Sequence, residues 1–392
     1  MSKVVIVGGG HAGFSAAAGL RSQGHEGEIL ILSDEAHMPY HRPPLSKALL
    51  VGGGGAGDIA LGKQAFYDRN DIRVRLGTKV TAIDCAARVL SLAGGGTLGY
   101  DRLILALGAE NRCLPIPGAG FPNVLYLRCY DDAVAARDWL GRSDRVAVIG
   151  GGFVGLELAS AANRLGRRVT VIEASDRLMS RAVSPEISAH YLDLHRSNGV
   201  DVRVKAKASR IEGDRAASAV VLEDGTRIGA DLVFVGVGIR PADRLAAEAG
   251  IATQDGILVD GHMRTSAPSV HAVGDCARFP SRHGGLIRVE SVQNAVDQGL
   301  LAARDIAGTA APYAPVHWFW SDQFGVKLQM ATIGRDGADR RIAGDVAGGK
   351  FTVYAFDDGV LTGAESVGRP ADHARVRKLL ERGATASDIL ED

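Results

Sequence analysis

Two stretches of the chain show the same succession of apolar and polar positions. Residues 3–7 form a short β-branched run that ends in a glycine turn, and an alanine-rich, helix-like stretch separates it from the apolar run "EILILSDE". The same order recurs over residues 145–174, "RVAVIGGGFVGLELASAANRLGRRVTVIEA". Each stretch predicts a strand, a turn, a helix and a second strand. Two such βαβ units predict two separate parallel sheets.

The pattern changes in the rest of the chain. Around residues 223–226, "EDGT", polar and apolar residues alternate and predict a meander that returns to a sheet. Beyond about residue 310, "HWFWSDQF" and "GKFTVYAFDDGVLTGAESVG" predict antiparallel strands, and "PADHARVRKLLERG" predicts a helix. The glycine-rich stretches 51–60 and 92–100 lack the spacing of a phosphate loop and predict surface connections or hairpin turns. The expected fold class is α/β, with two Rossmann-like dinucleotide-binding domains and a C-terminal α+β domain.

Both glycine turns have the spacing GxGxxG. In this motif the first glycine allows the tight turn, the second lets the backbone approach a pyrophosphate, and the third lets the helix pack closely on the strand. The helix N-terminus that follows offers free N–H groups to the phosphates. The glycines with this spacing are Gly8, Gly10 and Gly13 in the first unit, and Gly150, Gly152 and Gly155 in the second.

An acidic residue follows each turn by about 20 residues, where a dinucleotide ribose is held. In the first unit it is Asp34 or Glu35, because the sequence leaves the register open by one residue; in the second it is Glu173. A carboxylate at this position accepts hydrogen bonds from ribose hydroxyls and repels a 2′-phosphate. Arg177 and Arg181 lie close in sequence and are able to accommodate a phosphate, so the choice between NADH and NADPH stays open here.

Two dinucleotide sites in one chain indicate a relay in which one cofactor stays bound and the other brings hydride. A resident FAD at the first site and a visiting nicotinamide at the second are the natural pairing. We expect the domain boundaries to be 1–107 for the first part of the FAD-binding domain, 108–235 for the NAD-binding domain, 236–309 for the second part of the FAD-binding domain, and 310–392 for the C-terminal domain.

Composition narrows the class of protein. The 392 residues carry a formal net charge of zero, which gives no bulk attraction to nucleic acid or to membranes. No apolar run reaches the roughly 18 residues of a membrane-spanning helix, and the N-terminus enters a strand without a leader pattern, so we expect a cytoplasmic protein. The cysteines, Cys85, Cys113, Cys129 and Cys276, lie far apart and predict neither a redox dithiol nor a metal site.

Several short strings occur together along nearly the whole chain. They are "PYHRPPLSK" (39–47), "YDRLILALGA" (100–109), "YLR" (126–128), "VIGGGFVGLE" (148–157), "VGVGIRP" (235–241), "HAVGDCARF" (271–279), "RVESVQNA" (288–295) and "WFWSDQF" (318–324). With them the chain resembles the FAD-dependent ferredoxin reductases of oxygenase systems. "HRPPLSK" and "FWSDQ" are the most specific, because the wider flavoprotein disulfide reductases lack them. The resemblance implies a glutathione-reductase-like arrangement of domains.

The resemblance also implies roles for particular residues. The implied FAD contacts are Gly8, Gly10, Ala12, Gly13, Asp34, Lys47, Val80, Arg128, Asp275 and Val292. The implied NADH contacts are Gly152, Phe153, Val154, Glu157, Glu173 and Gly238, in addition to the motif glycines Gly150 and Gly155. Lys47 is placed beside the isoalloxazine, where a cation stabilises negative charge on the reduced ring. Trp320 is placed at the flavin, facing the ferredoxin. Lys47, Glu157 and Trp320 are the implied catalytic residues.

Three functions are compatible with this pattern. The leading one is transfer of hydride from NADH to FAD and of single electrons to a [2Fe–2S] ferredoxin that feeds a haem monooxygenase or a Rieske dioxygenase, by a monomer or weak dimer. A thiol-dependent NADH oxidase, peroxidase or disulfide reductase needs a cysteine near the flavin, and "MPYHRPPLSKALL" contains none. An NADH-binding flavoprotein similar to apoptosis-inducing factors shares the architecture, but the neutral charge balance does not favour nucleic-acid binding.

Overall fold

The computed structural model describes residues 2–332 and 339–390. The strands are β1 Val4–Val7, β2 Ile29–Leu32, β3 Ile72–Arg75, β4 Val80–Asp84, β5 Val89–Leu92, β6 Thr97–Gly99, β7 Arg102–Leu105, β8 Ala109–Asn111, β9 Val124–Leu125, β10 Arg145–Ile149, β11 Arg168–Ile172, β12 Asp201–Arg203, β13 Ala208–Gly213, β14 Ala217–Leu222, β15 Arg227–Gly229, β16 Leu232–Val235, β17 Ile239–Pro241, β18 Ile257–Leu258, β19 Val270–Ala272, β20 Ala277–Pro280, β21 Leu286–Ile287, β22 His317–Gln323, β23 Val326–Thr332, β24 Asp339–Asp345, β25 Lys350–Asp357 and β26 Val360–Val367.

Helices alternate with these strands in both βαβ units. The α-helices are α1 His11–Ser22, α2 Ala48–Gly52, α3 Gln64–Arg69, α4 Tyr130–Gly141, α5 Phe153–Arg164, α6 Pro185–Ser197, α7 Arg244–Glu248, α8 Val292–Ile306, α9 Pro370–Glu381 and α10 Ser387–Leu390. Short 3₁₀ helices span Pro43–Ser46, Ala56–Ile59 and Gly274–Cys276. Within the described ranges, no helix combines the length and the apolar character that crossing a membrane requires.

The first of two compact units consists of residues 2–41, 55–110 and 240–319. Its main sheet has the order β19-β7-β1-β2-β3, and each neighbouring pair is parallel. Strands β1 and β2 are buried along their whole length, as expected for parallel strands covered on both faces. The predicted hairpin turn over residues 92–100 is confirmed, since β5 and β6 pair antiparallel around it.

The second unit consists of residues 42–54, 111–239 and 320–390, apart from the range 333–338. Its parallel sheet has the order β12-β11-β10-β16-β9. Strands β14 and β15 form the predicted hairpin, and β16 then returns to the parallel sheet. The C-terminal part is a five-stranded sheet, β22-β23-β26-β25-β24, followed by α9 at the predicted position.

The glycine-rich stretch 51–60 differs from the prediction of a plain connection. It contains the end of α2 and the 3₁₀ helix Ala56–Ile59. Leu49 and Leu50 of α2 are buried, so apolar packing stabilises this short helix despite the adjoining glycines. The sequence pattern alone shows the glycines and not this burial.

Candidate functional site

The two glycine turns are built alike. Gly8 and Gly150 both have positive φ values, +117° and +109°. A Cβ at Gly8 would lie 2.1 Å from a carbonyl oxygen just beyond the neighbouring strand of the sheet, and a Cβ at Gly150 would lie 2.3 Å from the equivalent oxygen. A Cβ at Gly13 or Gly155 would lie 2.0 Å or 2.2 Å from the carbonyl of the first glycine of the same turn. Only glycine fits these four positions, which confirms that the repeated spacing forms a repeated structure.

Both turns open onto a helix N-terminus that can receive an anion. Gly10 is the N-cap of α1 and Gly152 the N-cap of α5, and neither cap is closed by a side-chain hydrogen bond within the described residues. A Cβ at Gly152 would meet no described atom within 4 Å, and Val154 beside it is 45% exposed. The N–H groups of the first helical turn, the positive end of the helix dipole and open space together fit the diphosphate of a dinucleotide.

Glu173 follows β11 directly and lies against the second glycine turn. Its Oε2 accepts a hydrogen bond from Gly151 N and its Oε1 accepts one from Ser175 N, both at 2.6 Å. The carboxylate is therefore fixed at the position where the ribose of a dinucleotide is expected. The Arg177 guanidinium donates to two backbone carbonyls in the segment 180–183, which holds this cation within its own loop.

The corresponding position in the first unit is occupied by Ser33. A Cβ at Gly9 would lie 3.0 Å from Ser33 Oγ, just as a Cβ at the matching glycine of the second unit would lie 3.1 Å from the Glu173 carboxylate. Strand β2 thus ends two residues before Asp34, earlier than the sequence predicts. Asp34 is exposed, and the half-buried Glu35 accepts a hydrogen bond from Tyr40 Oη.

The remaining FAD candidates of the first unit lie at the ends of its elements. Val80 is the buried first residue of β4, and Val292 is the first residue of α8 after its N-cap, Ser291. Asp275 lies in the first turn of the short 3₁₀ helix Gly274–Cys276. Ala12 is buried at the start of α1.

Two predicted FAD contacts belong to the second unit. Lys47 lies between the 3₁₀ helix Pro43–Ser46 and α2. Arg128 precedes α4; its backbone N–H donates to the Asp132 carboxylate, and its carbonyl accepts from the Arg42 guanidinium.

Gly238 lies beyond β16 with a φ of +102°. Its carbonyl accepts a hydrogen bond from Arg112 N at 2.9 Å, and a Cβ added to it would lie 3.4 Å from the Arg181 guanidinium. The Arg181 guanidinium beside this glycine favours an anionic ligand there.

Lys47 and Glu157 form an ion pair, although they are 110 positions apart in the sequence. Lys47 Nζ lies 2.9 Å from Glu157 Oε1; the glutamate side chain is 5% exposed and the lysine side chain 22%. Ser321 Oγ also donates to Oε1, at 2.6 Å, and Ser46 Oγ donates to Oε2 at 2.5 Å. A buried carboxylate is stable only when its charge is paired and its oxygens accept hydrogen bonds. Lys47 pairs the charge, and the two serine hydroxyls donate the hydrogen bonds.

The sequence motifs missed part of this arrangement. Ser46 and Ser321 are the hydroxyl donors to Glu157, and no motif assigned them a role. Lys47 and Glu157 meet, and the half-buried Trp320 precedes Ser321 on β22. The available signal was position: each serine is adjacent to a predicted site residue.

Comparison with known proteins places the chain in a family. Residues 2–299 match the pyridine nucleotide-disulphide oxidoreductase family, and residues 318–390 match the reductase C-terminal family. Rhodocoxin reductase of Rhodococcus erythropolis is 42% identical over 380 residues, which cover 96% of this chain and 89% of that protein.

Solved structures agree with this assignment. The ferredoxin reductase for the CYP199A2 system of Rhodopseudomonas palustris has a TM-score of 0.95 and 41% identity, covering 98% of this chain and 96% of that one. Putidaredoxin reductase, in its covalent complex with putidaredoxin, has a TM-score of 0.94 and 37% identity, covering 97% of this chain and 93% of that one.

These findings confirm the α/β fold class with Rossmann-like domains, the resemblance read from the short strings, and FAD and a nicotinamide as the cofactors. Within the residues that the structure describes, the glycine turns fit both dinucleotides. The chain belongs to the pyridine nucleotide-disulphide oxidoreductase family and, within it, to the FAD-dependent NADH:ferredoxin reductases of oxygenase systems.

Proposed function

We propose that this protein takes hydride from NADH and passes single electrons to a [2Fe–2S] ferredoxin that feeds an oxygenase. The observation that carries the proposal is the duplicated glycine turn, because each copy opens onto an uncapped helix N-terminus within the described residues. A relative that forms a covalent complex with putidaredoxin supports a ferredoxin as the electron acceptor.

FAD is the first of the two cofactors in this proposal. FAD, when bound, accepts a hydride and releases electrons one at a time. The residues proposed to hold it are Gly8, Gly10, Ala12, Gly13, Asp34, Lys47, Val80, Arg128, Asp275 and Val292. The N–H groups at the start of α1 would bind the diphosphate, and the side chain of Asp275 would accept hydrogen bonds from the ribityl hydroxyls.

The second unit binds NADH. The proposed contacts are Gly150, Gly152, Phe153, Val154, Gly155, Glu157, Glu173 and Gly238. Glu173 is already oriented by two backbone N–H groups, so it accepts hydrogen bonds from the ribose hydroxyls without reorganisation. Accordingly, we propose residues 1–107 and 236–309 as the FAD-binding domain, 108–235 as the NAD-binding domain, and 310–392 as the C-terminal domain.

Lys47, Glu157 and Trp320 are the proposed catalytic residues. Glu157 fixes the Lys47 ammonium by a direct ion pair, while the lysine keeps part of its surface exposed. A fixed cation favours the negative charge that hydride brings, because no reorganisation is needed during the transfer. Trp320, the residue before Ser321 on β22, is proposed to face the ferredoxin.

A thiol-dependent reaction has little support. None of the four cysteines forms a disulfide, and burial raises the pKa of Cys276 to about 11, which disfavours the reactive thiolate of that residue. We further propose that the protein works in the cytoplasm, since NADH is supplied in that compartment. We propose a monomer or weak dimer as its oligomeric state.

The role of Lys47 is tested by the two half-reactions of the FAD-loaded protein. Lys47→Met is expected to slow flavin reduction by NADH, measured anaerobically by stopped-flow absorbance. Lys63→Met, which replaces an exposed lysine before α3, is the matched control and is expected to react like the wild type. Equal rates in Lys47→Met and the wild type would contradict the role of Lys47.

A further inference from the structure

A series of buried polar side chains in the second unit ends at Glu157. It runs from His195 on α6 through Gln323 and Ser321 at the end of β22 to Glu157 on α5. His195, Gln323 and Ser321 have no exposed surface. We call this series the buried chain. Polar groups without access to water need hydrogen-bond partners, so each member has a defined neighbour.

The hydrogen bonds of the buried chain have one direction. Gln323 Oε1 lies 2.9 Å from His195 Nε2, and an amide oxygen only accepts, so the imidazole carries its proton on Nε2. Gln323 Nε2 donates to Ser321 Oγ at 3.1 Å. The single Ser321 hydroxyl proton is then left to donate to Glu157 Oε1 at 2.6 Å.

The surroundings of His195 agree with this direction. Its Nδ1 is buried without a hydrogen-bond partner among residues 2–332 and 339–390, and burial lowers the pKa of the imidazole. The neutral form with the proton on Nε2 therefore fits the site. If the Gln323 amide were reversed, its carbonyl would face Ser321 and take the hydroxyl proton away from Glu157.

Ser321 and Lys47 act on the same carboxylate oxygen. Both contact Glu157 Oε1, whereas Ser46 donates to Oε2. Loss of the Ser321 bond leaves Oε1 to the ammonium alone and changes both the orientation of the carboxylate and its hold on the lysine.

We propose that His195 and Gln323 are positioning residues for the Lys47–Glu157 pair, because they direct the Ser321 hydroxyl onto the carboxylate. The inference rests on the proposed role of that pair in flavin reduction by NADH.

A second contact separates this role from general support of the strand. Phe324 N donates to Ser160 Oγ at 2.8 Å, three residues along α5 from Glu157. The end of β22 stays attached to α5 through this bond when the buried chain is broken. A substitution in the buried chain therefore affects the Lys47–Glu157 pair before it detaches β22 from α5.

The test measures anaerobic flavin reduction by NADH in the FAD-loaded protein, with the limiting rate and the NADH half-saturation determined separately. Gln323→Met keeps the side-chain length and removes the hydrogen bonds to His195 and Ser321. We expect this variant and Ser321→Ala each to have a limiting rate about tenfold lower than the wild type. The NADH concentration for half-saturation is expected to stay within about twofold of the wild-type value. Tyr191→Phe is the matched control on α6, since its hydroxyl is buried and has no hydrogen-bond partner within the described residues. It is expected to leave the limiting rate within about twofold.

Rescue at His195 provides a second, independent test. His195→Leu removes the donor to Gln323, whereas His195→Gln places an amide N–H near the position of Nε2. We expect His195→Leu to lower the limiting rate and His195→Gln to restore most of it. If Gln323→Met does not fold, this pair of variants decides the question, and equal rates in the two would overturn the proposal.

A double variant distinguishes positioning from an independent structural effect. Once Ser321→Ala has removed the bond to Glu157, adding Gln323→Met is expected to change the limiting rate by less than about twofold. Losses that multiply would overturn the proposal. If Glu157→Gln slows flavin reduction and the variants at His195 and Gln323 do not, the inference fails and the catalytic pair stands. If Glu157→Gln and Lys47→Met both react like the wild type, the proposed role of the pair itself fails.

Discussion

Replacing Glu173 by glutamine tests how the protein selects its nicotinamide. The substitution keeps the side-chain length and an oxygen that accepts a hydrogen bond from Gly151 N or Ser175 N, so the glycine turn is retained while the charge is removed. Alanine at this position would leave both backbone N–H groups without their acceptor. Glutamine keeps one of these two acceptors, so it removes the charge with a smaller loss of hydrogen bonds than alanine.

The structure allows the magnitude to be worked out. Each charge-assisted hydrogen bond from a ribose hydroxyl to Glu173 contributes about 1.5–3 kcal/mol, and a neutral acceptor contributes about 0.5–1.5 kcal/mol. NADPH offers a phosphate to the same carboxylate and adds repulsion between like charges. Arg177 does not offset this, because its guanidinium is bound to backbone carbonyls of its own loop. We expect the wild type to prefer NADH at least about tenfold, or about 1.4 kcal/mol.

The assay is kcat/KM for NADH and for NADPH at one fixed ionic strength. Glu173→Gln is expected to lower the ratio of the two values about tenfold, mainly through weaker use of NADH. Glu223→Gln, an exposed glutamate of the same unit paired with Lys207, is the matched control and is expected to leave the ratio unchanged. A wild type that prefers NADPH, or a Glu173→Gln ratio equal to that of the control, would refute the reasoning.

Three further predictions concern the cofactor, the exit of electrons and pH. Asp275→Ala is expected to weaken FAD retention, measured as flavin released on dialysis and heating; full retention would show that Asp275 is not a contact. Trp320→Ala is expected to slow ferredoxin reduction much more than flavin reduction by NADH, and equal losses in the two half-reactions would contradict a docking role. Burial lowers the pKa of His317 to about 4, so between pH 6.5 and 4 the unfolded state binds more protons than the folded state. The free energy of unfolding is therefore expected to fall by about 3 kcal/mol as the pH drops from 6.5 to 4. In denaturant titrations at several pH values, the free energy of unfolding of His317→Gln is expected to fall less steeply with decreasing pH than that of the wild type. An equal pH dependence in the two proteins would contradict the lowered pKa of His317.

The glycine turns were predictable from sequence because their requirement is local. A positive φ and a carbonyl about 2 Å from the Cβ position exclude every other residue at Gly8 and Gly150, so spacing alone identifies them. The same holds for the β-branched runs that become β1 and β10, since buried parallel strands need continuous apolar residues.

The surroundings of Glu157 were not predictable in this way. A glutamate on a helix reads as a solvent-facing charge, and its burial depends on Ser46 and Ser321, which lie 111 and 164 positions away in the chain. The end of β2 at Leu32, before Asp34, likewise depends on pairing with β3 and not on the residues of the strand itself. Long-range contacts decide both features.

The most direct test of the proposed electron transfer is an anaerobic titration of a [2Fe–2S] ferredoxin with NADH, using a catalytic amount of the FAD-loaded protein. Ferredoxin reduction is followed by loss of its visible absorbance, with a one-iron rubredoxin as the comparison acceptor. Because one hydride carries two electrons, we predict about two reduced ferredoxins for each NADH consumed. NADH oxidation without ferredoxin reduction, or reduction of the rubredoxin alone, would contradict the proposed function.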